Sequence, residues 1–534
     1  MEGKISPICL LRMFNPQAFF MRCLFLFVLL YSSVPLFAQP QGAAIRYHDP
    51  FFTDPSRLQK IRKALPVIDG LYKAYAAKIH SPGFVYGVMV DGELIANGET
   101  GFIQTDKKVP ATKTSAFRIA SMSKSFTAMA ILQLRDKGRL QLDDVASKYI
   151  PALLKQAYPA TDAPPLTIRH LLTHAAGFPE DNPWGDRQLA KSNKDLLALI
   201  NQGISYSQVP GVAYEYSNLG FTLLGHIIQK ASGLSYQEYI NRNILTPLGM
   251  LHTWWEYEKV PAAVLAKGYR RVNNNWIEQP LLHDGAWGAM GGLITTLEDF
   301  GKYMALHLSA SPPRSEKESP VLKRSSLREM QQPWNFNTLN AGYRYPSGRP
   351  CAMALAYGYG LRWTKDCEGR VAAGHSGGLP GFGSNWQMLP GYGIGVVCFS
   401  NVTYAPTTAI NTQVLDTLIA LANLKPRQGK ASSILETRKQ QLVQLLPHWN
   451  KAEASEIFAE NFFQDYFIDS LRKEATAIFE RAGKIIRVTE LVPENGLRGS
   501  FLLEGEQKNI EVKFTLTPEA SPKIQEYRIG ERER

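Results

Sequence analysis

Apolar and polar positions repeat along this chain with two periods, and each change of period marks an element. Helical spacing runs from Ser56 to Ile79. Phe84–Val90 and Glu93–Asn97 then flank Asp91-Gly92, a dipeptide that favours a tight hairpin turn. A short approach strand through Phe117–Ile119 leads into a stretch, Phe126 to Leu134, that is apolar at every position except Thr127 and Gln133. A helix apolar on all faces belongs in a protein interior, and Gly138 suits its end. Short helices are predicted over Leu142–Tyr149 and Leu166–His174, and a loop carrying Pro179, Pro183 and Gly185 over Ala175–Ser192. Ser217 is placed as the N-cap of a helix that runs to Ser232 and stops at Gly233. Its stripe is Leu223, Leu224, Ile227, Ile228 and Ala231. Further on come a helix over Tyr236–Ile244, a buried strand over Gly291–Ile294, a helix over Leu297–His307 and a mobile polar insertion over Ser309–Pro320. Strand patterns cover Tyr357–Thr364, Arg370–His375, Gly383–Leu389 and Ile394–Ser400, and a helix over Thr407–Leu424 follows.

Hairpin strands at both ends of this region with helices between them predict an α/β (α+β) sandwich: an antiparallel sheet built from both termini and flanked by helices. Residues 425–433 read as a polar linker. Residues 434–534 place helical patterns before strand patterns, so they predict a small α+β domain, and they hold no catalytic cluster. At 534 residues the chain is too long for one core. Residues 1–38 read as a signal peptide: Arg22, an apolar run from Cys23 to Tyr31, and Ala38 at a suitable cleavage point. That run is too short to span a bilayer. A periplasmic or secreted protein with no membrane span after cleavage is therefore expected.

Composition excludes disorder and fibrous repeats, with 45% hydrophobic and 20% charged residues. The net charge of +12 falls to +10 without residues 1–38. It is scattered rather than clustered, so it predicts no nucleic-acid partner and fits association with anionic envelope polymers. Cys351, Cys367 and Cys398 remain in the mature chain. Either Cys351 and Cys367 bridge a hairpin-like segment and leave Cys398 buried, or all three are free thiols. None has zinc-ligand spacing.

The candidate chemistry starts where the approach strand becomes the apolar helix. Ser121 and Lys124 are three residues apart and so share one face, about a turn apart, above the helix's positive end. A hydroxyl and an amine held this way form a nucleophile and its base. Ser-x-x-Lys also occurs at Ser470/Lys473, on a polar helix. Tyr216-Ser217-Asn218 lies in a loop at a helix start, whereas Tyr239/Asn241 lies inside one. His375-Ser376-Gly377-Gly378 ends a strand where bare backbone N–H groups face outward, whereas His283/Gly285 sits in a plain loop. His170 and His174 have the spacing of a metal pair but lack the following Glu and a third ligand, so they are read as structural.

In this order, Ser121-Met122-Ser123-Lys124, Tyr216-Ser217-Asn218 and His375-Ser376-Gly377 resemble the serine β-lactamase and penicillin-binding-protein superfamily. The likeness is to its class C-like branch with esterase and D-aminopeptidase relatives. Leu166–His174, Gly291–Thr296 and Gly374–Gly383 resemble the same branch, and the resemblance covers Phe51 to Leu424. It implies a β-lactamase/transpeptidase-like fold and a hydrolase domain within residues 39–424, with neither cofactor nor metal. It also implies roles. Ser121 forms an acyl-enzyme, Lys124, its pKa lowered, helps take the serine proton, and Tyr216, polarised or ionised by nearby positive charge, acts as general base and later returns the proton to the leaving group. Asn218 orients Lys124 and the substrate, and the backbone N–H groups of Ser121 and Gly378 form the oxyanion hole.

His375 departs from the lysine usual in penicillin-recognising members. A histidine is mostly neutral at pH 7, so the motif implies a substrate without a carboxylate at this point and counts against antibiotic hydrolysis. The expected function is an exported serine hydrolase of small esters, amides or peptides, including D-amino-acid or cell-wall material. The alternatives are a penicillin-binding protein or class C-type β-lactamase, and a catalytically weak binder of envelope peptides.

Overall fold

A computed structural model describes residues 48–533. The expected signal peptide lies outside them. Among the described residues no helix is long and apolar enough to cross a membrane. The chain forms two compact units, His48–Lys430 and one from Ala431 onward.

The larger unit is organised on a nine-stranded antiparallel sheet. Its strands in chain order are β1 (Gly83–Val90), β2 (Glu93–Gln104), β3 (Val109–Pro110), β4 (Asn335–Asn340), β5 (Met353–Tyr357), β6 (Arg362–Asp366), β7 (Val371–Leu379), β8 (Phe382–Leu389) and β9 (Ile394–Ser400). Their order across the sheet is β3-β2-β1-β9-β8-β7-β6-β5-β4. The hairpin around Asp91-Gly92 therefore pairs with the last strand, Tyr86 opposite Cys398, so the sheet is built from both ends of the domain.

Two apolar layers cover the sheet. On one face lie α1 (Arg57–Lys78) and, from the end of the domain, Thr407–Leu421. Ile61, Ile68 and Tyr72 there share a core with Phe84, Val396, Val414 and Leu418. The other face carries α2 (Ser123–Asp136), α3 (Asn218–Ser232) and α4 (Leu297–Leu308), whose Phe126, Leu223 and Phe300 join the main core. The Thr407–Leu421 helix is α5. Every residue of α2 from Ser123 to Leu134 is buried. Its two polar interruptions are matched to backbone: Thr127 donates to the Ala289 carbonyl at 2.6 Å and Gln133 to that of Val321 at 2.5 Å. A buried polar side chain is tolerated when it finds such a partner.

Three sequence expectations change. The predicted Tyr357–Thr364 strand is the turn of a hairpin, because β5 ends at Tyr357 and β6 begins at Arg362. Gly360 makes the turn at φ 67°, packed so close to α2 that a Cβ would lie 2.7 Å from the Lys124 carbonyl. Of Gly291–Ile294, only Ile294 joins the Ile294–Thr295 strand, after a helical turn over Gly288–Gly291. Leu142–Tyr149 contains just one 3-10 turn, Ala146–Lys148.

The smaller unit places the helices α6 (Ser433–Leu445) and α7 (Ile468–Ala482) before an antiparallel sheet. Alternate residues of its Arg498–Gly505 and Asn509–Leu516 strands, such as Phe501, Leu503, Val512 and Phe514, face a core of their own.

Cys351 and Cys367 form a disulfide across the open end of the β5–β6 hairpin, and Cys398 is a buried free thiol in β9. The bridge closes a segment with a sequence separation of 16. Cys351→Ser with Cys367→Ser should therefore lower stability by about 3 kcal/mol, the closure entropy of such a loop. The measurement is the denaturant midpoint at unchanged slope.

Candidate active site

Ser121 lies in the 3-10 turn Ala120–Met122 that joins the Phe117–Arg118 strand to α2. Ala120 holds φ 49°, a left-handed conformation that costs a non-glycine residue energy and is found where the surroundings impose it. Several bonds fix the turn. Ser123 Oγ donates to the Ala120 carbonyl at 2.7 Å and accepts from the Leu293 N–H at 3.1 Å. On the strand side, Ser384 Oγ donates to the Ile119 carbonyl at 2.8 Å. Gly377 must be glycine, since a Cβ would sit 2.1 Å from that same carbonyl. The third motif and the nucleophile turn are thus packed backbone against backbone.

Lys124 is fully buried. Its Nζ lies 2.7 Å from Asn218 Oδ1, 2.9 Å from the Met290 carbonyl and 3.1 Å from Ser121 Oγ. The first two partners can only accept, and the Asn218 amide is oriented by its own donation to Asn182 Oδ1 at 2.7 Å. A neutral amine here spends both hydrogens on Asn218 and Met290 and aims its lone pair at the Ser121 hydroxyl. Burial lowers the Lys124 pKa from 10.5 to about 7 against the opposing pull of Asp186 and Asp181, with Arg362 adding to the decrease. The base form is therefore well populated at neutral pH.

The start of α3 supplies the next pair. Asp181 caps it twice, accepting from the N–H of Asn218 at 2.7 Å and of Leu219 at 2.8 Å, and Ser217 accepts from the Gly220 N–H at 3.3 Å. Tyr216, just before, is buried with its hydroxyl bonded to Ser121 and its ring 4.9 Å from Lys124 Nζ. Burial raises its pKa far above 10.0, although Arg362 and the Ser121 bond pull it down. Tyr216 is therefore a polarised neutral phenol and not a phenolate.

His375 is buried, and its tautomer follows from its neighbours. Nδ1 donates to the Ser376 carbonyl at 2.5 Å, so Nε2 is left to accept from the Tyr357 hydroxyl at 2.8 Å. Burial, then Arg362 and Lys124, hold its pKa well below 6.5. His375 is neutral, as its motif implied. Ser376 and Gly377 follow it on β7, and Gly378 lies under the ring of Tyr404.

The predicted histidines do not converge on a metal. His170 Nδ1 accepts from the Thr167 N–H at 3.3 Å, whereas His174 Nδ1 accepts from the Ser217 N–H at 3.1 Å, its ring 4.3 Å from that of Tyr216.

Ser121, Lys124, Tyr216 and Asn218 thus meet around one amine, with His375 behind Tyr216. Two further charged groups were not singled out in the sequence. Arg362, first residue of β6, is surrounded by protein yet open to solvent in the cleft, its Cζ 5.4 Å from the Tyr216 ring centre. Tyrosines 214, 216 and 357 are its main electrostatic neighbours, and among the described residues no carboxylate forms an ion pair with it. Asp186 is buried beside Lys124, with Oδ2 accepting from Tyr404 at 3.0 Å and Oδ1 without a partner.

A lysine kept neutral by burial destabilises the fold below its unfolded pKa. That cost is fully present below pH 7 and is relieved as pH rises toward 10.5, because the unfolded chain holds the extra proton over that range. Lys124→Met should raise the melting temperature at pH 7 by several degrees while abolishing acylation. In the unsubstituted protein, acylation should lose about tenfold per pH unit below an apparent pKa near 7. A pH–rate profile with a labelling ester measures it.

Comparisons with known proteins find likenesses in sequence and in fold. The family model described as Beta-lactamase matches residues 68–419. Protein flp of Staphylococcus aureus (strain COL) is 31% identical over 357 residues, covering 65% of this chain and 66% of that protein. The match thus spans about two thirds of that relative. Among solved structures, the octameric penicillin-binding protein homologue from Pyrococcus abyssi superposes with a TM-score of 0.56 at 20% identity, covering 87% of this chain and 99% of the other. The D-amino acid amidase from Ochrobactrum anthropi SV3 gives 0.54 at 21% identity, covering 67% and 99%. Class C β-lactamases share the fold as well.

Proposed function

The chain belongs to the Beta-lactamase family, within the serine β-lactamase and penicillin-binding-protein superfamily, and from that premise we propose that it is a serine hydrolase acting through an acyl-enzyme on Ser121. The observation that carries this reading is the Lys124 amine, whose lone pair has no destination except the Ser121 hydroxyl. In the proposed cycle Lys124 takes the hydroxyl proton as Ser121 Oγ bonds to the substrate carbonyl carbon. The N–H groups of Ser121 and Gly378 receive the oxyanion. Tyr216, bonded to Ser121, gives its proton to the leaving amine or alkoxide as the tetrahedral species collapses, and Lys124 restores it. Water then attacks the ester, losing its proton to the Tyr216–Lys124 pair, and the pair returns a proton to Ser121 Oγ as the acyl–Oγ bond breaks and the acid leaves.

The substrates proposed are small amides, esters or peptides, including those with D-residues, a range consistent with the amidase fold neighbour. Export to the periplasm or the outside remains part of the proposal and rests on residues 1–38. Arg362 revises one expectation. His375 brings no charge, but the Arg362 guanidinium, on the neighbouring strand and beside Tyr216, offers a cation that no carboxylate ion-pairs among the described residues. A substrate carboxylate is therefore proposed to sit between Arg362 and Ser376, which favours peptides with a free C-terminus and keeps penicillin recognition as the second reading.

Intact mass after incubation with penicillin and with an uncharged labelling ester tests both. Adducts on the native chain and none on Ser121→Ala are expected. Arg362→Ala should slow acylation by penicillin at least tenfold and slow labelling by the ester much less. Labelling that persists in Ser121→Ala, or equal losses for both reagents, would remove the respective assignment.

A further inference from the structure

Arg362, His375 and Ser376 are among the residues that line a chamber of about 380 Å³, within the usual size of ligand sites. Its floor is the outer surface of β5 to β8, and its walls are α5 on one side and the Tyr343–Tyr345 segment on the other. The arrangement arises because α5 covers β8 and β9, so Met353, Leu355 and Ala372 on the strands beyond meet open space instead of a helix.

The charges around this chamber are the informative part. At its far end Arg370 pairs with Asp366 at 2.8 Å and with Asp416 at 3.1 Å, and Tyr345 donates to Asp366 at 2.7 Å. Near α5, Asn385 donates to Thr408 Oγ1 at 3.2 Å and Gln387 to Thr412 Oγ1 at 3.1 Å. These groups satisfy one another. Arg362, at the catalytic end, is the charged wall residue that has no carboxylate partner among the described residues. Among the described residues the chamber is thus a mostly apolar volume whose wall carries one guanidinium without a carboxylate ion pair, 5.4 Å from the Tyr216 ring centre and with Glu180 as its acidic neighbour. Its chemical complement is an apolar body with one carboxylate close to the scissile bond.

We infer that this chamber is the leaving-group subsite, taking the large apolar or aromatic side chain of a C-terminal amino acid whose α-carboxylate is held by Arg362 and Ser376. The inference rests on the hydrolase reading above and specifies it: the amine expelled as the acyl-enzyme forms is an amino acid with a bulky apolar side chain. A small leaving residue such as alanine would leave the chamber filled with water and gain nothing from its walls.

The test uses binding as well as turnover, so the two readings fail separately. Each enantiomer of phenylalanine and of alanine is titrated calorimetrically into the full-length Ser121→Ala protein. One enantiomer of phenylalanine is expected to bind at least tenfold tighter than alanine of the same hand. Filling the chamber with Ala372→Phe, or independently with Thr364→Phe, should bring that preference to within twofold, with thermal melting confirming that both variants fold. Arg362→Ala should weaken phenylalanine at least tenfold. Equal affinity for the two amino acids, or a preference that both filling variants retain, overturns the subsite. In the unsubstituted protein, hydrolysis of dipeptides ending in phenylalanine should exceed that of dipeptides ending in alanine. A chamber-dependent binding preference without any acyl adduct on Ser121 would overturn the hydrolase reading and leave the subsite standing.

Discussion

A primary amine sealed from water, with acceptors for two hydrogens and a hydroxyl for its lone pair, is the constraint on which the rest of the structure depends. Burying an ammonium without a counter-ion is costly, and the usual outcome is a neutral amine. The neighbours of Lys124 set how far that outcome goes. The all-apolar α2 excludes water, Met290 and Asn218 accept its hydrogens, and Asp181 and Asp186 keep the decrease in basicity from going further. A surface lysine near Ser121 would be protonated and could not act as a base at neutral pH. The helix core and the chemistry are therefore one requirement.

The three motifs became legible in the sequence for different reasons. Ser121 and Lys124 are local, so helical spacing alone puts them on one face. Tyr216 and Asn218 flank an N-cap, and a cap is a sequence signal. His375 is predicted to end a strand at two glycines; it lies inside β7, which runs on to Leu379, and one of those glycines is forbidden a Cβ by the Ile119 carbonyl. The sheet built from both termini was legible too, since Asp91-Gly92 fixes one hairpin and the late strands are strongly apolar.

Arg362 was hidden because its meaning depends on a turn. With Tyr357–Thr364 taken as one strand, residue 362 is an ordinary strand position. With a turn at Gly358–Gly360 it becomes the first residue of β6, opposite Tyr357 and Gly374 and beside Tyr216. Gly360 was the available signal, but glycine within a strand-like run reads equally well as a bulge. Asp186 was hidden for a related reason: loop residues reach a site by a path that no periodicity encodes. In the proposed site the cation comes from β6, one strand away from the motif on β7.

The pairing of β1 with β9 carries a consequence for how the enzyme comes into being. Residue 84 meets residue 400, so the centre of the sheet closes a loop that spans most of the domain. Such non-local pairing is paid for in chain entropy before any contact rewards it, and it makes folding slow. The strand that braces the nucleophile turn, β7, belongs to the late half of the chain as well. During synthesis Ser121 and Lys124 emerge long before their neighbours, with neither the burial that neutralises the amine nor the backbone that holds the turn. Both requirements are met only after β7 and the strands beside it have been made.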